Sequence, residues 1–290
     1  MKVAAAALLL LAAVHSAAAE VAPRPSEGCH AASIETGRQL RRTIVVDGTE
    51  RSYILDVPDR VKAQVPVPLL LDFHGFGHSA EGVWKVSEFK DIAARDGFIT
   101  AYPDGLPVNL LGREGSGWQI FSADGNRDLA FTTRLLDQLE RTYCIDLARV
   151  FATGFSNGAF FSNILACTMS DRFAAVAPVS GGRLTVPCTP QRPVPVLIQH
   201  GRQDQLLPVE QAHQERDAWV QTDGCRVHSS DGCDHYRDCR AGAEVTYCEG
   251  DYEHHWPPEA TQRVWDFFLA HPMAAAAAPA AAGSRPGQAQ

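Results

Sequence analysis

The sequence has little of what would make it fibrous, disordered or nucleic-acid binding. Its 290 residues hold only 23 glycines and 18 prolines, too few for a collagen-like or low-complexity chain. Basic side chains are outnumbered, 26 against 34, so the net charge is −8. A nucleic-acid partner, which favours a basic surface, is not expected. The one apolar run, at the N-terminus, is shorter than the roughly 20 residues needed to span a membrane, and no other stretch is long or apolar enough. None of the asparagines Asn109, Asn126, Asn157 and Asn163 starts an N-glycosylation sequon. No repeat and no linker divides the body.

What is present is a globular composition: 45% hydrophobic and 21% charged residues, with eight cysteines. Lys2 precedes an apolar run over residues 3–14, then Ser16-Ala17-Ala18-Ala19 and Glu20. Small residues after a short apolar core form a signal-peptidase site, so residues 1–19 are read as a leader and the protein as secreted. No membrane association is expected once the leader is removed. Residues 274–290 form an Ala/Pro/Gly-rich tail without an aromatic to bury, and are expected to be disordered. Between them, residues 20–273 suit one catalytic domain, read as a monomer.

Secretion makes Cys29, Cys144, Cys167, Cys188, Cys225, Cys233, Cys239 and Cys248 disulfide candidates. The last four cysteines cluster, but none stand as C-x-x-C, so zinc is not favoured and no metal is expected. Pairing is expected within the 225–248 excursion, with longer loops closed by the other four.

The body alternates strands and helices. Residues 42–46 and 51–57 flank Asp47-Gly48 as a β-hairpin. Residues 69–73, 98–102, 150–153, 174–179, 194–199 and 244–248 read as further strands. Residues 86–96, 128–143, 157–169, 209–222 and 259–270 read as helices. Residues 103–126 form a long, glycine-rich stretch, of the kind that carries function in a compact domain. The alternation predicts an α/β fold, with a mostly parallel central sheet, helices on both faces and disulfide staples.

Gly154-Phe155-Ser156-Asn157-Gly158 is a G-x-S-x-G pattern between a strand and a helix. Such a turn leaves the Ser156 hydroxyl exposed, and a serine nucleophile needs a base and a group to orient that base. Asp204 follows the strand at 194–199 and is the candidate acid. His254 or His255, before the last helix, is the candidate base; spacing alone does not choose between them. Adjacent histidines are poorly spaced for zinc. The turn His74-Gly75-Phe76-Gly77 offers the amide of Phe76 or a neighbour as one oxyanion donor, and Asn157 offers the other.

Together with these motifs stand Gly28-Cys29, Arg51-Ser52-Tyr53, Val57-Pro58, Tyr102-Pro103-Asp104-Gly105 and Tyr143-Cys144-Ile145-Asp146. Residues 173–181, His200-Gly201-x-x-Asp204 and His254-x-Trp256-Pro257 complete the set. Over roughly residues 28–257 the chain resembles the secreted esterases that group poly(3-hydroxybutyrate) depolymerases with type-D-like feruloyl esterases, in the first carbohydrate esterase family. The resemblance implies an α/β-hydrolase fold and cofactor-free ester hydrolysis. Its His-x-Trp-Pro context selects His254 as the base. The family's glycines before that histidine are replaced here by Asp251-Tyr252-Glu253, and Gly117-Trp118-Gln119 stands where the family often has Trp-Asn. Both changes fall on the substrate side.

The expected function is therefore a serine carboxylesterase acting through Ser156, His254 and Asp204, with feruloyl esters of plant cell-wall xylan as substrate. Trp118 and Trp256 are candidates to stack on the substrate, or else buried aromatics with satisfied N–H groups. The alternatives are a polyhydroxybutyrate depolymerase, an acetyl-xylan esterase, or an inactive binding protein on a hydrolase scaffold.

Overall fold

In a computed structural model, the structure describes residues 21–182 and 186–274. The leader at 1–19 and the tail beyond Ala274 lie outside the described residues.

The elements run in chain order as β1 (Gly37–Val46), β2 (Thr49–Val57), β3 (Val67–Phe73), α1 (Ala80–Val86), α2 (Phe89–Asp96), β4 (Ile99–Pro103), β5 (Leu106–Leu110), β6 (Arg113–Gly117) and α3 (Arg127–Thr142). Then follow β7 (Ile145–Phe155), α4 (Asn157–Thr168), β8 (Ala175–Val179), β9 (Val196–Gly201), α5 (Val209–Asp223), β10 (Val227–Ser230), β11 (Asp234–Arg237), β12 (Val245–Gly250) and α6 (Ala260–Ala270). Ten strands form one sheet in the order β1-β2-β4-β3-β7-β8-β9-β12-β11-β10. The six strands from β4 to β12 run parallel, and antiparallel strands extend both ends.

The central strands are apolar along their length because both faces are covered. Leu69, Leu71, Val150 and Ala152 face a core closed by α3, α4 and α5. Leu70, Phe151, Ala175 and Ala177 face the opposite core, where Phe89, Trp265 and Phe268 of α2 and α6 pack. This is the expected α/β arrangement. A parallel sheet collects its loops at the carboxyl ends of its strands, and the candidate site residues lie there.

The structure divides two stretches differently from the sequence reading. The helix expected over 86–96 begins later, as α2 at Phe89, and a short helix that was not expected, α1 over Ala80–Val86, precedes it. Ser87 donates its hydroxyl to the carbonyl of Val83 at 3.0 Å and closes the first. Glu88 then takes φ +56°, which no helix interior allows, and redirects the chain. The irregular stretch at 103–126 contains the hairpin β5–β6. Leu111 and Gly112 both have positive φ, 52° and 82°, as a tight hairpin turn of primed type requires. The signal was weak because glycine replaces apolar side chains on β6.

All eight cysteines are paired: Cys29–Cys144, Cys167–Cys188, Cys225–Cys239 and Cys233–Cys248. Two bridges lie within the 225–248 excursion, as expected, and staple β10 and β11 to the sheet edge. Among the described residues no helix is long and apolar enough to cross a membrane.

Candidate active site

Ser156 sits between β7 and α4 with φ +54° and ψ −117°, a strained pair for a residue with a side chain. The flanking glycines make this turn sterically possible. A β-carbon on Gly158 would fall 2.0 Å from the carbonyl oxygen of Phe73, and one on Gly154 would fall 2.6 Å from the backbone of Gly158. The Ser156 amide donates to the carbonyl of Val179 at 3.0 Å, and its carbonyl accepts from Ala159 and Phe160. The backbone is thus tied to β8 and to the first turn of α4.

Asp204 and His254 meet across 50 residues of sequence. Nδ1 of His254 stands 2.7 Å from Oδ2 of Asp204. An aspartate accepts, so Nδ1 carries a proton, and in the neutral ring this leaves the lone pair on Nε2. The other oxygen of Asp204 accepts from the amides of Leu206 and Leu207 at 2.9 and 2.8 Å, which fixes the carboxylate. The imidazole of His254 also lies against the ring of Phe155, centroids 4.8 Å apart, beside Ser156 in sequence. His255 is exposed and packs on Tyr252 instead.

The turn after β3 lies against this elbow. A β-carbon on Gly75 would sit 3.4 Å from Cβ of Ser156. His74 is buried, and its Nε2 accepts from the amide of Gly105 at 2.9 Å. Nδ1 therefore holds the proton and donates to the carbonyl of Gly75 at 2.7 Å. The amide of His78 reaches the same carbonyl at 3.1 Å. In a trans peptide the N–H points away from the C=O, so these bonds aim the Phe76 amide in the opposite direction. Burial lowers the His74 pKa, which favours the neutral ring this arrangement needs. Within the described residues no hydrogen bond uses the amide of Phe76 or of Asn157.

Several side chains hold this frame although the sequence reading gave them no role. Oδ1 of Asn157 accepts from the amide of Trp118 at 2.7 Å. His200 is buried, with Nε2 2.8 Å from the carbonyl of Leu207 and 3.5 Å from Asp204. Arg51, also buried, donates to Asp128 at 2.8 Å and to the carbonyl of Asp104 at 3.2 Å, fixing the loop that carries Gly105. Tyr252 lies across two glycines paired on β9 and β12, Gly201 and Gly250. A β-carbon on them would approach Tyr252 to 2.1 and 2.4 Å. His74, His200 and Asn157 stood inside motifs already noted; only their side-chain partners were invisible.

Of the two readings of Trp118 and Trp256, the structure matches the buried one and not the stacking one. Trp118 is 1% exposed, lies between Phe73 and Phe161, and donates to the carbonyl of His74 at 2.8 Å. Trp256 is also buried, packs on Phe89 and donates to Thr261 at 3.0 Å. Their rings are occupied by protein packing. The replacement of glycines by Asp251-Tyr252-Glu253 adds a ring over Gly201 and Gly250, while Asp251 is exposed and paired with Arg202 at 2.9 Å.

No protein-family model matches the chain. Among curated proteins it is 28% identical over 290 residues to feruloyl esterase D of Neurospora crassa, covering 90% of this chain and 94% of that protein. It is 31% identical over 144 residues to a bifunctional acetylxylan esterase/xylanase of Neocallimastix patriciarum, covering 50% of this chain but only 20% of that protein. Among solved structures, an acetyl xylan esterase from Aspergillus awamori superposes with a TM-score of 0.61 at 16% identity, covering 79% of this chain and 99% of that one. The chain has an α/β-hydrolase fold and is similar in sequence to feruloyl and acetylxylan esterases.

Proposed function

We propose that the chain is a serine carboxylesterase that hydrolyses feruloyl esters of plant cell-wall xylan. The observation that carries this reading is the Asp204–His254 contact at 2.7 Å beside a strained Ser156. In the proposed course, Oγ of Ser156 attacks the ester carbonyl carbon while Nε2 of His254 takes its proton. The carbonyl oxygen becomes an oxyanion facing the amides of Phe76 and Asn157. Collapse breaks the bond to the alcohol, which leaves with the proton from His254. Water then attacks the acyl-enzyme with His254 again as base, and the acid departs as Ser156 recovers its proton. Asp204 keeps the imidazole in one tautomer and stabilises its charged form.

The feruloyl group is favoured by the match to feruloyl esterase D along nearly its whole length. An acetyl group is the second reading, supported by the shorter match to an acetylxylan esterase/xylanase. Four disulfides and the leader expected in the sequence support an extracellular enzyme. The constellation is complete within one chain, in keeping with a monomer.

A fluorophosphonate probe tests the nucleophile: folded protein labels at Ser156, and the Ser156→Ala variant does not. A panel of methyl ferulate, acetylated xylan and polyhydroxybutyrate tests the substrate. Release of hydroxybutyrate without ferulate would overturn the feruloyl assignment, and failure of Ser156 to label would overturn the enzyme.

A further inference from the structure

The glycine-rich stretch at 103–126 is more than a connection. Between the β5–β6 hairpin and the loop leading into α3 lies a cavity of about 350 Å³. That volume falls within the range of small-ligand sites. Apolar and hydrogen-bonding groups alternate around it. Val108 and Phe121 supply carbon surface, and Asn109 and Gln119 supply amides. Asp124 and Arg127 bring opposite charges to the same rim.

The hydrogen bonds of these side chains are only partly used. Oδ1 of Asn109 accepts from Gly112, and Oε1 of Gln119 accepts from Arg127, both at 2.9 Å. Among the described residues neither amide NH₂ group donates to protein. Phe121 is 58% exposed on the rim, unusual for a phenyl ring. A neutral polyol has this same character: hydroxyls around its edge and C–H groups on its faces. A charged ligand would meet both Asp124 and Arg127, one of them with the wrong sign.

The cavity is also coupled to the elbow. Trp118 lines it, and the Trp118 amide is the group held by Asn157. On the hairpin, Gly115 and Gly117 receive the ring of Phe76, to whose phenyl carbons an added β-carbon would come within 2.8 Å at Gly115.

We propose that this cavity is a sugar subsite that holds the neutral pentose chain of the substrate while its ester lies at Ser156, with Phe121 as stacking platform and Gln119 and Asn109 as donors to hydroxyls. The proposal rests on the esterase reading for its ligand. The aromatic platform expected at Trp118 is thus assigned three residues later, to Phe121.

Two measurements test it. The first is calorimetric binding of unesterified xylo-oligosaccharide to the full chain. The second is the ratio of kcat/KM on a feruloylated xylo-oligosaccharide to that on methyl ferulate. Phe121→Ala and Gln119→Ala are each expected to weaken oligosaccharide binding and to lower the ratio, by about five- to tenfold for the ring. Val227→Ser, on an exposed strand at the far sheet edge, is the control. Unchanged binding and ratio in both variants, or no oligosaccharide binding by the parent chain, overturns the subsite even if methyl ferulate is cleaved. If methyl ferulate and its glycosylated analogue are both left intact, the esterase reading falls, and the calorimetry still decides the subsite.

Discussion

The amide of Gly105 donates to Nε2 of His74 at 2.9 Å, and this bond sets the tautomer of a ring that acts on the opposite side. With Nε2 occupied as acceptor, Nδ1–H faces the carbonyl of Gly75 and orients the next peptide. His74→Ala would leave the Phe76 amide aimed by the His78 amide alone. Loss of a whole oxyanion donor costs about 10²–10³ in rate. His74→Ala is therefore expected to lower kcat by about ten- to a hundredfold while KM changes less than about twofold. His74→Asn, which keeps an N–H near Gly75, should recover part of the loss. A folded His74→Ala enzyme with parental kcat would show that the ring only fills space.

Arg51 and Asp128 form an ion pair whose side chains are 2% and 0% exposed. Burial lowers the Arg51 pKa, and the adjacent Asp128 opposes that shift. The guanidinium also lies over Phe131, 4.0 Å from the ring centre. Arg51→Met would keep much of the carbon contact but strand the carboxylate. Breaking one side of such a pair costs about 3–5 kcal/mol. Chemical denaturation should show a loss of that order, and a change below about 1 kcal/mol would mean that Asp128 finds other partners or a proton.

Glu215 is 1% exposed on α5, and its carboxyl meets the Asn163 amide at 2.6 Å. Burial raises its pKa from 4.5 to about 8. Between those values the folded state keeps a proton that the unfolded state releases. This group therefore contributes a loss of stability as pH rises through that window, by up to about 1.4 kcal/mol per pH unit. Glu215→Gln removes the titration. Its melting temperature should exceed the parent's by a margin that widens from pH 5 to pH 8 and is smallest at pH 4. A margin independent of pH would show that the carboxyl does not titrate in this range.

Elements with strong patterns were legible in the sequence. Residues 69–73 and 194–199 read as buried strands because strands covered on both faces must be apolar throughout. The elbow around Ser156 was legible because its glycines are sterically required. Asp204 and His254 were placed by chain order and motif, and the structure puts them in contact. The β5–β6 hairpin was not legible. Its partner strand, Arg113–Gly117, is short and glycine-rich because Phe76 needs the space. The break at Glu88 was hidden because left-handed backbone at a single residue leaves no periodic trace. The burial of Trp118 was hidden because it depends on Phe73 and Phe161, residues far away in sequence.

Asn157 faces two ways. Its amide is one of the proposed oxyanion donors, while its side chain grips the backbone of Trp118 at the wall of the cavity. Chemistry and recognition therefore share a single hinge pin. A ligand that draws the 118–126 loop inward would pull on the residue beside the nucleophile, so occupancy of the cavity and alignment of the elbow should rise and fall together. Substitutions on the two sides are then expected to combine non-additively, with the deviation passing through Asn157.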